Sequence, residues 1–149
     1  MRRFVIAVFF LAFATCLGAA KDESVEQLKS RFESARPDDR PGLCILIAQQ
    51  QLRSADKFFL DGDVDQANAA IDDIVSYSEK AREAAAQSKK HLKSVEIDVR
   101  KIADRLRDIK RTLAFDDQAP VDMAIRRLED VRTALLKEMF GKDNKKEKQ

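Results

Sequence analysis

Apolar and small residues recur at alternating intervals of three and four along residues 64–113, a stretch of fifty residues without glycine or proline. A repeat of about 3.5 residues held over this length is typical of a helix that packs along one side. The stripe is formed by Val64, Ala67, Ile71, Ile74, Ser78, Ala81, Ala85, Ser88, Leu92, Val95, Val99, Ile102, Leu106, Ile109 and Leu113. The pattern predicts one continuous helix over about residues 64–114, roughly 75 Å long at about 1.5 Å per residue.

The weakest part of this stripe is the polar segment Gln87–His91. It contains neither glycine nor proline, and a sharp kink in a helix normally has such an identifiable cause. The continuous helix is therefore the favoured interpretation, and a bend at this segment is the alternative.

Three shorter helices are predicted around the long one. The first begins after Ser24, whose hydroxyl can cap it, and ends before Pro37. The second begins near Pro41 and ends at the turn at Gly62, whereas the last helix ends at Gly141. The predicted fold class is therefore all-α, an elongated bundle of three shorter helices packed on one long central helix.

The second and last helices each have one end that is apolar on several sides. If both run antiparallel to the long helix, these two ends should meet at its middle. The predicted central core there comprises Leu43, Leu46, Ile47, Leu92, Val95, Val99, Leu135 and Phe140.

Small, aromatic and turn-forming residues on both sides of the predicted turn at Gly62 follow the spacing of a known helical repeat. These residues are Ala55, Phe58, Gly62, Asp63, Ala67 and Ile71. This segment, about Gln51–Glu79, resembles one tetratricopeptide-type helical hairpin. The resemblance implies a tight hairpin and no binding specificity, because about three repeats are needed for an independent solenoid and no second copy is found.

The amino terminus has the organisation of a signal peptide. A basic start at Arg2 and Arg3 is followed by a largely apolar run of 14 residues and by small residues before Lys21. This run is shorter than the roughly 20 residues that a membrane-spanning helix needs. We therefore expect residues 1–20 to be removed and the protein to be exported, to the periplasm or outside the cell; acylation at Cys16 as a lipoprotein is the alternative.

The remaining chain is predicted to form a single α-helical domain over residues 21–141, followed by a disordered charged tail over residues 142–149. The whole chain has 28 basic and 26 acidic side chains, and loss of the two arginines near the start leaves 26 of each. Cys44 is then the one cysteine, so no intramolecular disulfide is expected and stability must come from packing.

Charge is distributed unevenly along the predicted long helix. Residues 53–83 contain four basic and eight acidic side chains, whereas residues 89–111 contain nine basic and four acidic ones. The basic arm could bind an anionic partner through Arg100, Lys101, Arg105, Arg107, Lys110 and Arg111. Interleaved acidic residues and the absence of stacking aromatics favour instead a solvated helix with internal ion pairs such as Glu96–Arg100.

No residue pattern in the sequence indicates catalysis. His91 is the only histidine and lies among lysines, so metal or haem spacings that need several histidines or cysteines are not available. The aspartates of Asp61–Asp65 resemble the start of a calcium loop, but helix capping by Asp63 accounts for them better. Cys44 lies in an apolar run that should make its thiol inert. The sequence therefore predicts no catalytic, cofactor-binding or metal-binding residues and no cofactor.

Function is consequently inferred from surface alone. The favoured hypothesis is a non-catalytic exported interaction or scaffold protein whose partner is another protein. The alternative is a binder of an anionic envelope polymer or of a membrane surface through the basic arm, and export argues against a nucleic-acid partner. Oligomeric state is left open.

Overall fold

The computed structural model describes residues 23–141, which form five α-helices, a short 3₁₀ helix and no β-strand within that range. The helices are α1 (Val25–Ser34), α2 (Arg40–Asp61), α3 (Val64–Ser88), α4 (Leu92–Thr112) and α5 (Gln118–Phe140), with the 3₁₀ turn at Phe115–Asp117 before α5. The predicted all-helical class is confirmed. The predicted signal peptide and charged tail lie outside the described residues, and none of the described helices is long and apolar enough to cross a membrane.

Local sequence signals set most helix ends. Ser24 and Gln27 form a complete capping box on α1, and α2 carries proline in its first turn. Gly62 ends α2 in the left-handed conformation, with φ of 77°. The Asp63 carboxylate then accepts a hydrogen bond from the backbone N–H of Gln66 and so caps α3. These signals act within one turn of chain, so they operate in the same way whatever the surrounding fold.

The predicted continuous helix over residues 64–114 is wrong, because the chain reverses direction between α3 and α4. Glu79 of α3 pairs with Arg127 of α5 at 2.7 Å, and Glu96 of α4 pairs with Arg132 of α5 at 3.0 Å. In one helix these two glutamates would stand about 25 Å apart, whereas the two arginines are separated by only about 7 Å of helix. Both glutamates pair with neighbouring turns of α5, so α4 runs antiparallel to α3 in the bundle.

The reversal uses two residues in the left-handed conformation, Lys89 with φ of 57° and His91 with φ of 66°. The Ser88 hydroxyl donates to the Ala84 carbonyl at 2.9 Å and accepts from the Lys90 backbone N–H at 3.3 Å, which closes the end of α3. Non-glycine residues rarely adopt this conformation. The segment contains no glycine, so nothing in the local sequence predicts the turn. The apolar stripe continues on both sides of the turn because α3 and α4 bury their stripes in one core.

Helices α2 to α5 form an antiparallel four-helix bundle. α2 packs against α3 and α4, and α5 packs against the same two helices, so α2 and α5 occupy opposite corners. α1 packs against the start of the bundle, mainly on α2. α1 also reaches α3, where Lys29 pairs with Asp73 at 2.8 Å and the Phe32 ring meets the Tyr77 ring edge to face. Two turns, at Gly62–Asp63 and at residues 113–117, lie at one end of the bundle, which we call the turn end.

The buried stripes of all four bundle helices make one core. Five of the residues predicted for the central core are buried: Leu43, Ile47, Val95, Val99 and Leu135. The prediction is wrong for Leu46 and Phe140, which are 47% and 63% exposed, and Leu92 is only partly buried. The segment predicted to be the middle of the long helix is in fact the turn between α3 and α4 at one end of the bundle. Some side chains predicted for the central core therefore lie at the edge of the bundle.

The left-handed turn can be tested by glycine substitution. Lys89→Gly should raise the free energy of unfolding by about 0.5–1 kcal/mol. Glycine removes a penalty of about 1–2 kcal/mol for the left-handed conformation, but its more flexible backbone loses more conformational entropy on folding, which offsets part of the gain. Arg100→Gly, at an exposed site within α4, should lower it by about 1 kcal/mol. Urea unfolding of both variants checks this. Equal losses of stability would show that Lys89 is helical in solution.

Candidate binding groove

A groove of about 660 Å³ opens where the end of α1, the start of α2 and the first two turns of α4 meet. Three local features place these elements side by side. Pro37 separates α1 from α2, the left-handed residues start α4 at the same level, and the Lys90 ammonium bonds to the Asp38 carboxylate at 2.6 Å. The α1–α2 corner and the α3–α4 turn are thereby held together.

The groove has an apolar floor and a polar rim. Leu43, Ile45 and Val95 form buried parts of its wall, and the exposed side chain of Leu46 stands beside them. The polar lining comes from all three elements and comprises Arg31, Ser34, Asp38, Asp39, Gln49, His91, Ser94 and Asp98. An apolar centre within a polar border is suited to receiving an apolar side chain of a ligand.

Charges at the rim are paired. The hydrogen bond from Lys90 lowers the pKa of Asp38 below its usual range, and the hydrogen bond to Asp39 raises the pKa of Arg36. The Asp38 carboxylate therefore remains ionised at neutral pH. The carboxylates of Asp38 and Asp39 both line the groove beside its apolar floor.

Sequence reasoning did not find this groove. Its lining spans residues 31–98 and belongs to three helices, so no local spacing marks it. His91, expected to be a solvated residue, is exposed but stands on the groove rim. The one available signal was α2 itself, whose start is apolar on every side and so has more apolar surface than its neighbours can cover.

The basic arm is largely paired with carboxylates. Arg105, Arg107 and Lys110 reach Asp56, Glu129 and Asp122 on other helices at 2.6–2.7 Å. The bond to Glu129 raises the pKa of Arg107. Lys101 and Arg111 pair with Asp98 and Asp108 within α4, at 3.6 and 2.9 Å. Within residues 23–141, no carboxylate lies within 4 Å of the exposed Arg100 guanidinium, because its predicted partner Glu96 turns to Arg132 instead.

The other residues considered for chemistry, Cys44 and Asp63, have structural roles in the fold. Burial raises the pKa of the Cys44 thiol to about 11, so almost none of it is thiolate at neutral pH. Asp63 acts as the cap of α3, and no group of three or more histidine, cysteine or acidic side chains within residues 23–141 is arranged to hold a metal ion.

Comparisons with protein-family models, with curated proteins and with solved structures find no significant match to this chain. α2 and α3 do form a tight antiparallel hairpin around Gly62, but the tetratricopeptide resemblance of that segment stays a prediction. Function therefore has to be argued from the geometry of the bundle.

Proposed function

We propose that this protein is a non-catalytic, exported helical interaction protein that binds another protein through the groove between α1, α2 and α4. The observation that supports it most is Leu46, a large apolar side chain that is 47% exposed beside an apolar floor. The neighbouring Ile47 is fully buried, so one face of α2 packs in the core at this level while the face that carries Leu46 is left uncovered.

The composition of the groove favours a protein ligand. Binding interfaces between proteins combine an apolar centre, which supplies most of the affinity, with a polar rim that sets orientation. The groove offers the same arrangement, with Leu43, Ile45 and Leu46 at the centre and the carboxylates of Asp38 and Asp39 at the border. A partner helix or loop that inserts one apolar side chain would cover Leu46.

Site-specific photo-crosslinking in the exporting cell tests this proposal. A photoreactive residue at Leu46 should give a discrete adduct with another protein, because that side chain lies in the interface. The same residue at Arg126, exposed on α5, is the matched control and should give none. Leu46→Asp should abolish adducts formed from Ser94, on the opposite wall of the groove. Identical adducts from Leu46 and Arg126 would rule the groove out as the binding surface.

The alternative function is binding of an anionic envelope polymer or membrane surface through the basic arm on α4. What favours it is Arg100, which is exposed and lies beyond 4 Å of every carboxylate in residues 23–141. The other five cations of the arm would have to leave carboxylates at 2.6–3.6 Å to bind such a partner. Binding to anionic phospholipid vesicles that weakens steeply with added salt would favour this function over the groove.

A further inference from the structure

The turn end of the bundle exposes large apolar side chains. Leu60, at the end of α2, is 81% exposed, and Phe115, in the 3₁₀ turn before α5, is 87% exposed. Met123, in the second turn of α5, is 64% exposed. Leu60 and Phe115 have the highest exposure among the large apolar residues of the described chain, and both belong to this end, whereas Phe140, which is 63% exposed, lies at the opposite end.

Ion pairs hold the contributing elements at the same level. Asp56 of α2 bonds to Arg105 of α4 at 2.7 Å, and Lys110 of α4 bonds to Asp122 of α5 at 2.7 Å. Leu60 lies one helical turn beyond Asp56, and Phe115 lies just beyond the end of α4. The fold thus places at one end of the bundle two exposed apolar side chains that are more than fifty residues apart in the sequence.

The same end is strongly acidic. Closely spaced carboxylates lie at each of its two turns: Asp61, Asp63 and Asp65 at one, Asp116 and Asp117 at the other. No lysine or arginine occurs between residues 58 and 79 or between residues 112 and 125. Within the described chain, no ion pair involves any of these five carboxylates, although the basic arm only one or two turns away is almost fully paired. The turn end therefore keeps a net negative charge around its apolar tips.

We infer that the turn end is a second docking surface, which binds a partner protein that presents apolar recesses surrounded by basic side chains. Phe115 and Leu60 would enter the recesses, since aromatic and large aliphatic side chains supply most of the energy at interfaces. The unpaired carboxylates would meet the basic surround, which speeds encounter and excludes wrong partners.

Charge selects this occupant over the other candidates. Anionic lipid headgroups and nucleic-acid phosphates would be repelled by the five carboxylates, and the turn end of a second copy would be repelled in the same way. The inference does not depend on the groove, which lies at the opposite end of a bundle about 33 Å long, as estimated from α2. Two surfaces at opposite ends would allow the protein to bridge two partners.

Titration with three synthetic peptides of equal length tests the proposed chemistry. One peptide combines lysine with leucine, one lysine with serine and one glutamate with leucine. The lysine–leucine peptide should bind and shift the backbone amide signals of residues 60–65 and 114–118. The lysine–serine peptide should bind at least tenfold more weakly, because it cannot fill the apolar contacts, and the glutamate–leucine peptide should shift no signals at the turn end.

Matched variants separate the two contributions. Leu60→Ser combined with Phe115→Ser should weaken binding of the lysine–leucine peptide at least tenfold, whereas Leu136→Ser, at a partly exposed site on α5 outside both surfaces, should leave it unchanged. Asp116→Asn with Asp117→Asn should weaken binding severalfold and reduce its dependence on salt. Neutralising Asp72 and Asp130, exposed acids elsewhere on the bundle, should do neither. Binding that survives the serine variant, or amide shifts confined to the groove, would overturn the inference.

Discussion

Spin labels attached at residues 65 and 112 should lie roughly 20 Å apart. Asp65 lies in the first turn of α3 and Thr112 ends α4, and the reversal at Lys89–His91 brings both to the turn end. Helix axes in a bundle are about 8–10 Å apart, so even opposite corners with label linkers give a distance of this order. A continuous helix through the same residues would separate the labels by about 70 Å.

Double electron–electron resonance on Asp65→Cys/Thr112→Cys measures this distance, in a background with Cys16→Ala and Cys44→Ala. A second pair, Asp65→Cys with Glu83→Cys, lies within α3 and should give about 27 Å in either architecture, which calibrates the labels. A dominant distance near 70 Å for the first pair would disprove the reversal. A broad distribution between the two values would indicate a hinge in place of a fixed turn.

Ile47→Ala should lower the free energy of unfolding by about 2–4 kcal/mol, whereas Leu46→Ala should lower it by less than about 1 kcal/mol. The two residues are adjacent on α2 and of equal size, but Ile47 is fully buried and Leu46 is half exposed. Truncating a buried side chain loses its transfer free energy and leaves a cavity, while a half-exposed site loses little of either. The expected difference is a large share of the roughly 5–15 kcal/mol that stabilises a typical domain.

Urea unfolding of the two variants, followed by helical circular dichroism, checks this prediction. Both transitions should keep the slope of the unaltered protein, so that the shift in midpoint reports stability alone. Equal midpoints would mean that α2 is rotated and that Leu46 belongs to the core. If the groove binds a partner as proposed, Leu46→Ala should weaken that binding while leaving the fold intact. Ile47→Ala would destabilise the fold itself, so its effect on binding could not be separated from its effect on stability.

The reversal also changes how the charge pattern should be interpreted. In a rod, the acidic residues 53–83 and the basic residues 89–111 would lie far apart and act as separate poles. In the bundle they are neighbours, and Arg105 bonds to Asp56 across helices while Lys110 and Arg107 bond to acids of α5. Most of the predicted basic arm is thereby paired with carboxylates, whereas Arg100 and the five carboxylates of the turn end have no ion pair within the described residues.

The sequence by itself determined the helical class and most helix ends. The apolar stripe, the Ser24 capping box, the proline at the start of α2 and the Gly62–Asp63 turn all act over one or two helical turns, so their effects can be predicted without knowing the neighbours. The stripe residues that it assigned to the core are mostly buried, because each helix must bury its apolar face in any fold.

Only the tertiary structure decided that the long helix folds back. Two left-handed residues, Lys89 and His91, cost about 2–4 kcal/mol together, so no local preference favours the turn. The reversal nevertheless allows Val99, Ile102 and Leu106 of α4 to be buried in the shared core, and each such side chain contributes about 1.5–3 kcal/mol. Because that gain comes from contacts between residues far apart in the chain, neither the turn, nor the exposed Leu46, nor the pairing of Arg105 with Asp56 could be read from local spacing.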